Sequence, residues 1–303
     1  MHIAKYMNRI FWLVCVLLTT YHSRLSAATT DTTALAGRDL KILSWNIYLL
    51  PGIAPVAGRT VRAAAIADTI SKLDYDIIVF QEAFHKKAVK AMREKLKSTY
   101  PFMYGPYNQP KSKVRVNSGV WIISKLPLKE LGTTQFSNGK VADKFALKGA
   151  ALLEGTVGKQ TFQILGTHLQ AEDKFNHIRR EQFTQIYTKL LKVYQKEGVP
   201  QIICGDMNTQ LSEQEEYNFM LKAFDAENGF VSRAQQHTYD GTTNRLAASV
   251  WKHAATTLDY ILLRKNGLPV KAAYRYISTL RKEWKKGKFD LSDHYGVVLE
   301  IKF

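Results

Sequence analysis

Short runs made only of apolar side chains, each ending in a charged or amide group, constrain this chain more than any other feature. Ile77-Ile-Val-Phe80 runs into Gln81-Glu82, and Ile202-Ile-Cys204 runs through Gly205 into Asp206-Met-Asn208. A run this short and wholly apolar reads as a strand covered on both faces. The polar group then falls at the strand end. The pattern recurs. Leu40-Lys-Ile-Leu-Ser-Trp-Asn46 closes on Asn46, and Ile164-Leu-Gly-Thr167 is followed by His168. Asp259 lies inside Leu258-Asp-Tyr-Ile-Leu262, and Asp293-His294 precede an apolar run beginning at Tyr295. Groups at strand ends can converge on one rim of a sandwich, on a rigid support.

Helical spacing separates these runs. Ala63, Ile66, Ala67, Ile70 and Leu73 form one face over Arg59 to Leu73, and a polar helix is predicted from Phe84 to Leu96. Phe183, Ile186, Tyr187, Leu190, Leu191 and Tyr194 predict a long helix over His177 to Gln195, with Gly198 as its stop. Ser212 to Phe224 reads as a helix opened by a Ser212/Glu215 capping box. Further strands are expected over Gly119 to Ser124, Phe145 to Thr156, Thr161 to Thr167, Val270 to Ile277 and Tyr295 to Ile301. No internal repeat or low-complexity linker divides the chain. The expected architecture is one α/β domain, a two-sheet sandwich with flanking helices.

The N-terminus reads as a signal peptide over residues 1–27, leaving a catalytic domain over 28–303. Lys5 and Arg9 precede an apolar stretch from Ile10 to Leu18, and Ser26-Ala-Ala28 supplies small residues for cleavage. That stretch is short for a bilayer span, which makes an uncleaved anchor the lesser alternative. Export predicts a secreted or periplasmic protein. Only two cysteines are present, and Cys15 would leave with the signal, so Cys204 can form no internal disulfide and is expected as a buried strand residue. A net charge of +17 favours anionic partners, either nucleic acid or an anionic membrane face.

The chemistry of the strand-end set is coherent. Glu82, Asp206 and Asp293 are hard oxygen ligands suited to Mg²⁺. Asn46 and Asn208 can hold a phosphate or complete a metal shell. His294 can take a proton from water near neutral pH, and Asp259 can fix its tautomer. His168 can donate to a phosphoryl oxygen as charge builds there.

Trp45-Asn46, Gln81-Glu82, Ser118-Gly-Val120, Thr167-His-Leu169, Gly205-Asp-Met-Asn208, Leu258-Asp-Tyr260 and Ser292-Asp-His294, in this order, resemble the endonuclease/exonuclease/phosphatase superfamily. The resemblance implies a DNase I-like sandwich. It also implies Glu82 as principal metal ligand, Asp293 at a second metal position, His294 as general base oriented by Asp259, and Asp206 with Asn208 positioning water and phosphate. Within that superfamily, His168-Leu-Gln-Ala-Glu-Asp173, with Arg179 or Arg180 and Gln182 beyond it, is similar to the neutral sphingomyelinases. So is Asp143-Lys-Phe-Ala-Leu-Lys148, where the resemblance implies that Asp143 and Lys148 act as a pair. Taken without the family, that pair reads as a surface salt bridge.

Bacterial enzymes of this type carry an aromatic hairpin that meets the membrane. The corresponding stretch, Tyr276 to Asp290, places Trp284 and Phe289 around a turn at Gly287, amid Lys285, Lys286 and Lys288. It is shorter and more basic than an apolar membrane hairpin. The expected function is Mg²⁺-dependent hydrolysis of sphingomyelin, or a related ceramide phospholipid, by a monomer at a phospholipid membrane. An exported nuclease is the first alternative, since the same basic stretch could grip DNA phosphates. A catalytically inactive binding protein is the second.

Overall fold

In a computed structural model, the described residues are 39–303 apart from 55, 57, 113 and 230–234. The signal-peptide reading over 1–27 lies outside them. Arg38–Phe303 form one unit. The strands are β1 (Leu40–Leu49), β2 (Ile77–Ala83), β3 (Phe102–Tyr104), β4 (Trp121–Ser124), β5 (Lys129–Gln135), β6 (Gly149–Val157), β7 (Gln160–His168) and β8 (Gln201–Asp206). They continue as β9 (Tyr239–Asp240), β10 (Ala255–Thr256), β11 (Asp259–Arg264), β12 (Ala272–Ser278), β13 (Arg281–Lys285), β14 (Lys288–Asp290) and β15 (Gly296–Lys302). The α-helices are α1 (Arg59–Ile70), α2 (Lys86–Leu96), α3 (Asn176–Ile186), α4 (Gln214–Phe224) and the short α5 (Arg245–Ala248).

Two sheets stack face to face. The first has six strands in the order β12-β15-β1-β2-β4-β3, and the second has five in the order β11-β8-β7-β6-β5. Their facing strands include β1 against β8 and β2 against β7. Gly166 lets the sheets approach closely, since a Cβ there would lie 2.9 Å from Val79 Cγ1 and 3.1 Å from Val120 Cγ1. Helices cover the outer faces. Ala63, Ile66 and Ile70 of α1, with Val89 and Met92 of α2, bury against Trp45, Ile78, Phe80 and Trp121. Phe183 and Ile186 of α3, with Met220 and Phe224 of α4, bury against Leu152, Leu165, Ile203 and Leu262. This is the two-sheet α/β sandwich read from the sequence, and the apolar runs are buried strands as expected. Cys204 is buried in β8 with its thiol free.

Several local expectations are corrected. The long helix expected to Gln195 ends as α-helix at Ile186 and continues through one π turn over Tyr187–Leu191. The Ser212/Glu215 capping box does not form: Glu213 occupies the cap and makes no side-chain cap hydrogen bond. The strand expected from Phe145 begins at Gly149, because Val141–Lys144 form a 3₁₀ turn in the preceding loop. Unforeseen β5 is a largely exposed edge strand with no apolar run to announce it. Among the described residues no helix is long and apolar enough to cross a membrane.

Candidate active site

Strand direction gathers the polar set. β1 and β2 run parallel, so Asn46 and Glu82 lie toward the same rim of the first sheet. β15 runs antiparallel to β1, which brings its leading residues Asp293 and His294 to that rim. In the second sheet β7 and β8 are parallel, and β11 returns antiparallel beside β8. His168, Asp206 and Asp259 therefore fall in one row of paired positions across three strands.

Side-chain bonds join the two rims, and among them Asn46 Nδ2 donates to Asp206 Oδ2 at 3.0 Å. Asp206 Oδ1 accepts from the backbone N–H of Asn208 at 3.0 Å, and Asn208 Nδ2 donates to Leu169 O at 3.0 Å. His294 Nδ1 lies 2.8 Å from Asp259 Oδ2, and its Nε2 lies 3.9 Å from Asp206 Oδ2. Burial opposes a charged imidazole at His294, but Asp259, Asp293 and Asp206 outweigh it and hold its pKa well above the ordinary value. Burial likewise opposes ionisation of Asp206, yet His168, His294 and the Asn46 bond keep its pKa low. Asp206, Asp259 and His294 offer ligand atoms within 4.8 Å of one another. Because Asp259 already engages Nδ1, this trio reads better as a proton-handling unit than as a metal cage.

The carboxylates on the first sheet differ. Oε2 of Glu82 is shielded from solvent and has no hydrogen-bond partner. Burial first, and then the negative charge of Asp293, push Glu82 up to about 8. Asp293 is raised by burial as well. A desolvated Glu82 oxygen with no donor, beside an Asp293 carboxyl that accepts from Ser292 Oγ at 3.3 Å, makes a site whose chemistry a divalent cation would satisfy. Asn46 Oδ1 accepts one bond, from Tyr48 N at 3.1 Å, and retains a lone pair for a metal. The donor set fits Mg²⁺. Glu82, Tyr48 and Asn208 all hold positive φ, at 58°, 49° and 48°, a conformation non-glycine residues adopt mainly where surrounding structure imposes it.

Asp143 and Lys148 are not a surface salt bridge. Their Nζ–Oδ1 separation is 2.8 Å, with side-chain exposures of 5% for Lys148 and 14% for Asp143. Lys148 Nζ also donates to Leu169 O at 2.8 Å and lies 3.0 Å from His168 Nε2. Burial, reinforced by Lys148, pushes His168 down to about 3, so its imidazole is neutral near pH 7. With Lys148 donating to Nε2, the cation facing the site is Lys148; His168 donates there only as the Nε2–H tautomer. The loop is tied down by Asp143 Oδ2 accepting from Ala171 N at 2.8 Å, and by Gln170 Oε1 accepting from Lys140 N at 2.8 Å. Arg179, not Arg180, serves this segment by donating to Gln170 O and Glu172 O, while Arg180 pairs with Glu215 and Glu216.

Trp284 is also corrected. Its indole is half-buried against α1, donates to Asp290 O at 2.8 Å and packs on Gly58. Phe289 is the exposed aromatic of the hairpin.

Sequence reasoning missed Arg62, which is buried and donates to Ile47 O and Leu291 O at 2.8 and 2.6 Å, and to Tyr48 O. It clamps the end of β1 to the segment leading into Asp293. Ser292 Oγ adds a bond to Asn46 O at 2.6 Å. An arginine on a helical stripe gives no sequence signal for this role.

Comparison with known proteins agrees with this geometry. Sphingomyelinase C of Listeria ivanovii is 28% identical over 316 residues, covering 95% of this chain and 93% of that protein. Sphingomyelinase C 2 of Leptospira interrogans is 29% identical over 286 residues, 86% of this chain, which spans only 45% of that longer protein. A crystal structure of beta toxin from Staphylococcus aureus with bound magnesium ions shares the fold, with a TM-score of 0.78 at 24% identity, covering 87% of this chain and 100% of that one. The profile of the Endonuclease/Exonuclease/phosphatase family matches residues 43–294, and the chain belongs to that family.

Proposed function

We propose that the protein is an exported, Mg²⁺-dependent phosphodiesterase that hydrolyses sphingomyelin, or a related ceramide phospholipid, to ceramide and phosphocholine. The observation that carries the reading is the His294–Asp259 pair facing Asp206 and Asn46 beside the unpartnered Glu82 oxygen and the buried Asp293. Sphingomyelin is supported by the relatives named for that activity and by the Asp143–Lys148 loop reaching His168. Glu82, Asn46 and Asp293 would hold the Mg²⁺, which supplies charge to the phosphoryl oxygen and stabilises the transition state.

The remaining work falls to side chains. Asp259 fixes the tautomer of His294 and orients Nε2 inward, where it takes a proton from the attacking water. Asp206 and Asn208 position water and phosphate. As negative charge accumulates on the phosphoryl oxygens, the nearby Lys148 ammonium offsets it electrostatically, and His168 can donate to them as its Nε2–H tautomer. Water enters in line and the ceramide oxygen leaves.

The test compares release of phosphocholine from sphingomyelin vesicles with nicking of a plasmid, each with and without chelator. Lipid cleavage that disappears in chelator is expected. Faster plasmid nicking would transfer the site to a nuclease, and undiminished turnover in chelator would remove the metal role. Export is tested separately by N-terminal sequencing of the protein recovered outside the cytoplasm, with a new terminus expected near Ala27.

A further inference from the structure

The His294–Asp259 bond is made between two sheets. Asp259 opens β11 and His294 precedes β15, and these strands belong to different sheets. Ladder pairing therefore does not set the distance between the two side chains. Their 2.8 Å contact needs both strand leads held in place. A short segment, residues 238–244, is bonded to both.

Thr238 is fully buried and reaches in both directions. Its Oγ1 accepts from the backbone N–H groups of Leu258 at 3.0 Å and Asp259 at 3.2 Å, while its carbonyl accepts from Tyr295 N at 2.7 Å. Tyr239, also buried, pairs through its backbone with Thr256 of β10 on one side and with His294 on the other. Its ring meets the His294 imidazole at 73° with centroids 5.1 Å apart, and its hydroxyl donates to Ala247 O of α5 at 3.0 Å. Asn244 closes the frame. Its Oδ1 caps α5 by accepting from Leu246 N at 2.9 Å and Ala247 N at 3.2 Å. Its Nδ2 donates to Ser292 O at 2.8 Å, two residues before His294.

The bond from Nδ1 to Asp259 fixes where the imidazole sits but leaves it free to tilt about that contact. A ring packed against it removes this freedom, and bonds to Ser292, Tyr295, Leu258 and Asp259 fix the backbone on both sides of the seam. We infer that Thr238, Tyr239 and Asn244 are positioning residues that set the aim of His294 Nε2. Thr238 and Asn244 hold the two strand leads at a fixed separation, and Tyr239 restrains the tilt of the imidazole. They act through His294 and Asp259 rather than on the substrate. The inference rests on the base role proposed for His294.

The test compares Thr238→Val, which keeps the shape and removes the hydroxyl, with Thr238→Ser, which keeps the hydroxyl. A misaimed reacting group costs about 10²-fold in rate. With a water-soluble choline phosphodiester, Thr238→Val should therefore lower kcat about 10²-fold with KM little changed, and Thr238→Ser should retain most of the turnover. Calorimetric titration with Mg²⁺ should give the wild-type affinity in both. A parallel loss of Mg²⁺ affinity would make Thr238 a prop of the metal site and overturn the inference, and so would an equal loss of kcat in Thr238→Ser. Thr238→Val added to His294→Ala should cost nothing further, since the residue acts through that ring; an additional loss would also overturn it. A second readout needs no turnover. The Nδ1–H proton resonance of His294, assigned by its absence in His294→Ala, should shift or broaden in Thr238→Val and Tyr239→Leu and persist in Thr238→Ser and Tyr239→Phe. An unchanged resonance in the first two would refute the positioning role. If Thr238→Val does not fold, Tyr239→Leu against Tyr239→Phe carries the same comparison. Normal turnover in His294→Ala defeats the proposed chemistry and leaves the resonance to decide the positioning. Normal kcat in Thr238→Val, with His294→Ala inactive, defeats the inference alone.

Discussion

Replacing Lys148 by Met tests the loop that sets this site apart from a bare phosphodiesterase rim. Methionine keeps much of the stem and deletes the ammonium, with its contacts to Asp143 (2.8 Å), Leu169 O (2.8 Å) and His168 Nε2 (3.0 Å). Removing one partner of a buried ion pair costs ~3–5 kcal/mol. Asp143 sits on a short 3₁₀ turn and retains some exposure, so it can swing into water, which puts the loss at the lower end of that range. At about 2–4 °C per kcal/mol for a domain of this size, the melting temperature should fall by roughly 6–12 °C. Turnover of a soluble phosphodiester should fall by roughly 10²-fold, the scale for misplaced reacting groups. His168 would lose the cation that reinforces burial in holding it at about 3, and its titration should move up toward the ordinary range. The decisive assay is the cycle with Asp143→Asn. If the two residues act as one unit, the double variant loses no more than Lys148→Met alone. Independent, additive losses, or a single variant with normal melting and turnover, would refute the reasoning.

Other expectations follow from the same geometry. Glu82, held up at about 8, keeps its proton in the metal-free fold while the unfolded chain releases it near 4.5. Metal-free stability should therefore decline as pH rises from about 4.5 to 8, since the folded state binds more protons in that window. Thermal melts should show this slope, and Mg²⁺ or Glu82→Gln should flatten it; a metal-free protein that grows more stable across the window would contradict the assignment. His294→Ala should lower turnover by at least ~10². Because Asp259, Asp293 and Asp206 hold the His294 proton, Asp259→Asn should move the acid limb of the rate profile to lower pH, and an unmoved limb would remove that role. Gly166→Ala should destabilise by ~1–3 kcal/mol through overpacking against Val79 and Val120, read as a lower denaturant midpoint with unchanged m-value.

Much of this could be read from the chain because the signal was local. The buried strands were legible in four-residue apolar runs, and the polar groups ending them were legible as a set. Contacts between distant segments were not. Nothing in the sequence says that Arg62 reaches three carbonyls on two segments, or that Lys148 is buried rather than solvated. Charge patterns look alike in both cases, and burial is decided by what folds over them. Trp284 misled for the same reason: an aromatic beside lysines suggests exposure, but Gly58 leaves a gap that the indole fills. The π turn at Tyr187 escaped because its apolar spacing is nearly that of an α-helix.

The bond between Asn46 and Asp206 crosses 160 positions of sequence and the seam between two sheets. One sheet carries Asn46, Glu82 and the segment leading to Asp293 and His294, while the other carries His168, Asp206 and Asp259. Neither half holds the full set, so the proposed hydrolysis would belong to the closed sandwich alone. On the proposed chemistry, a chain whose sheets have not yet met would be inert toward phosphodiesters, so the fold itself would act as the safety catch.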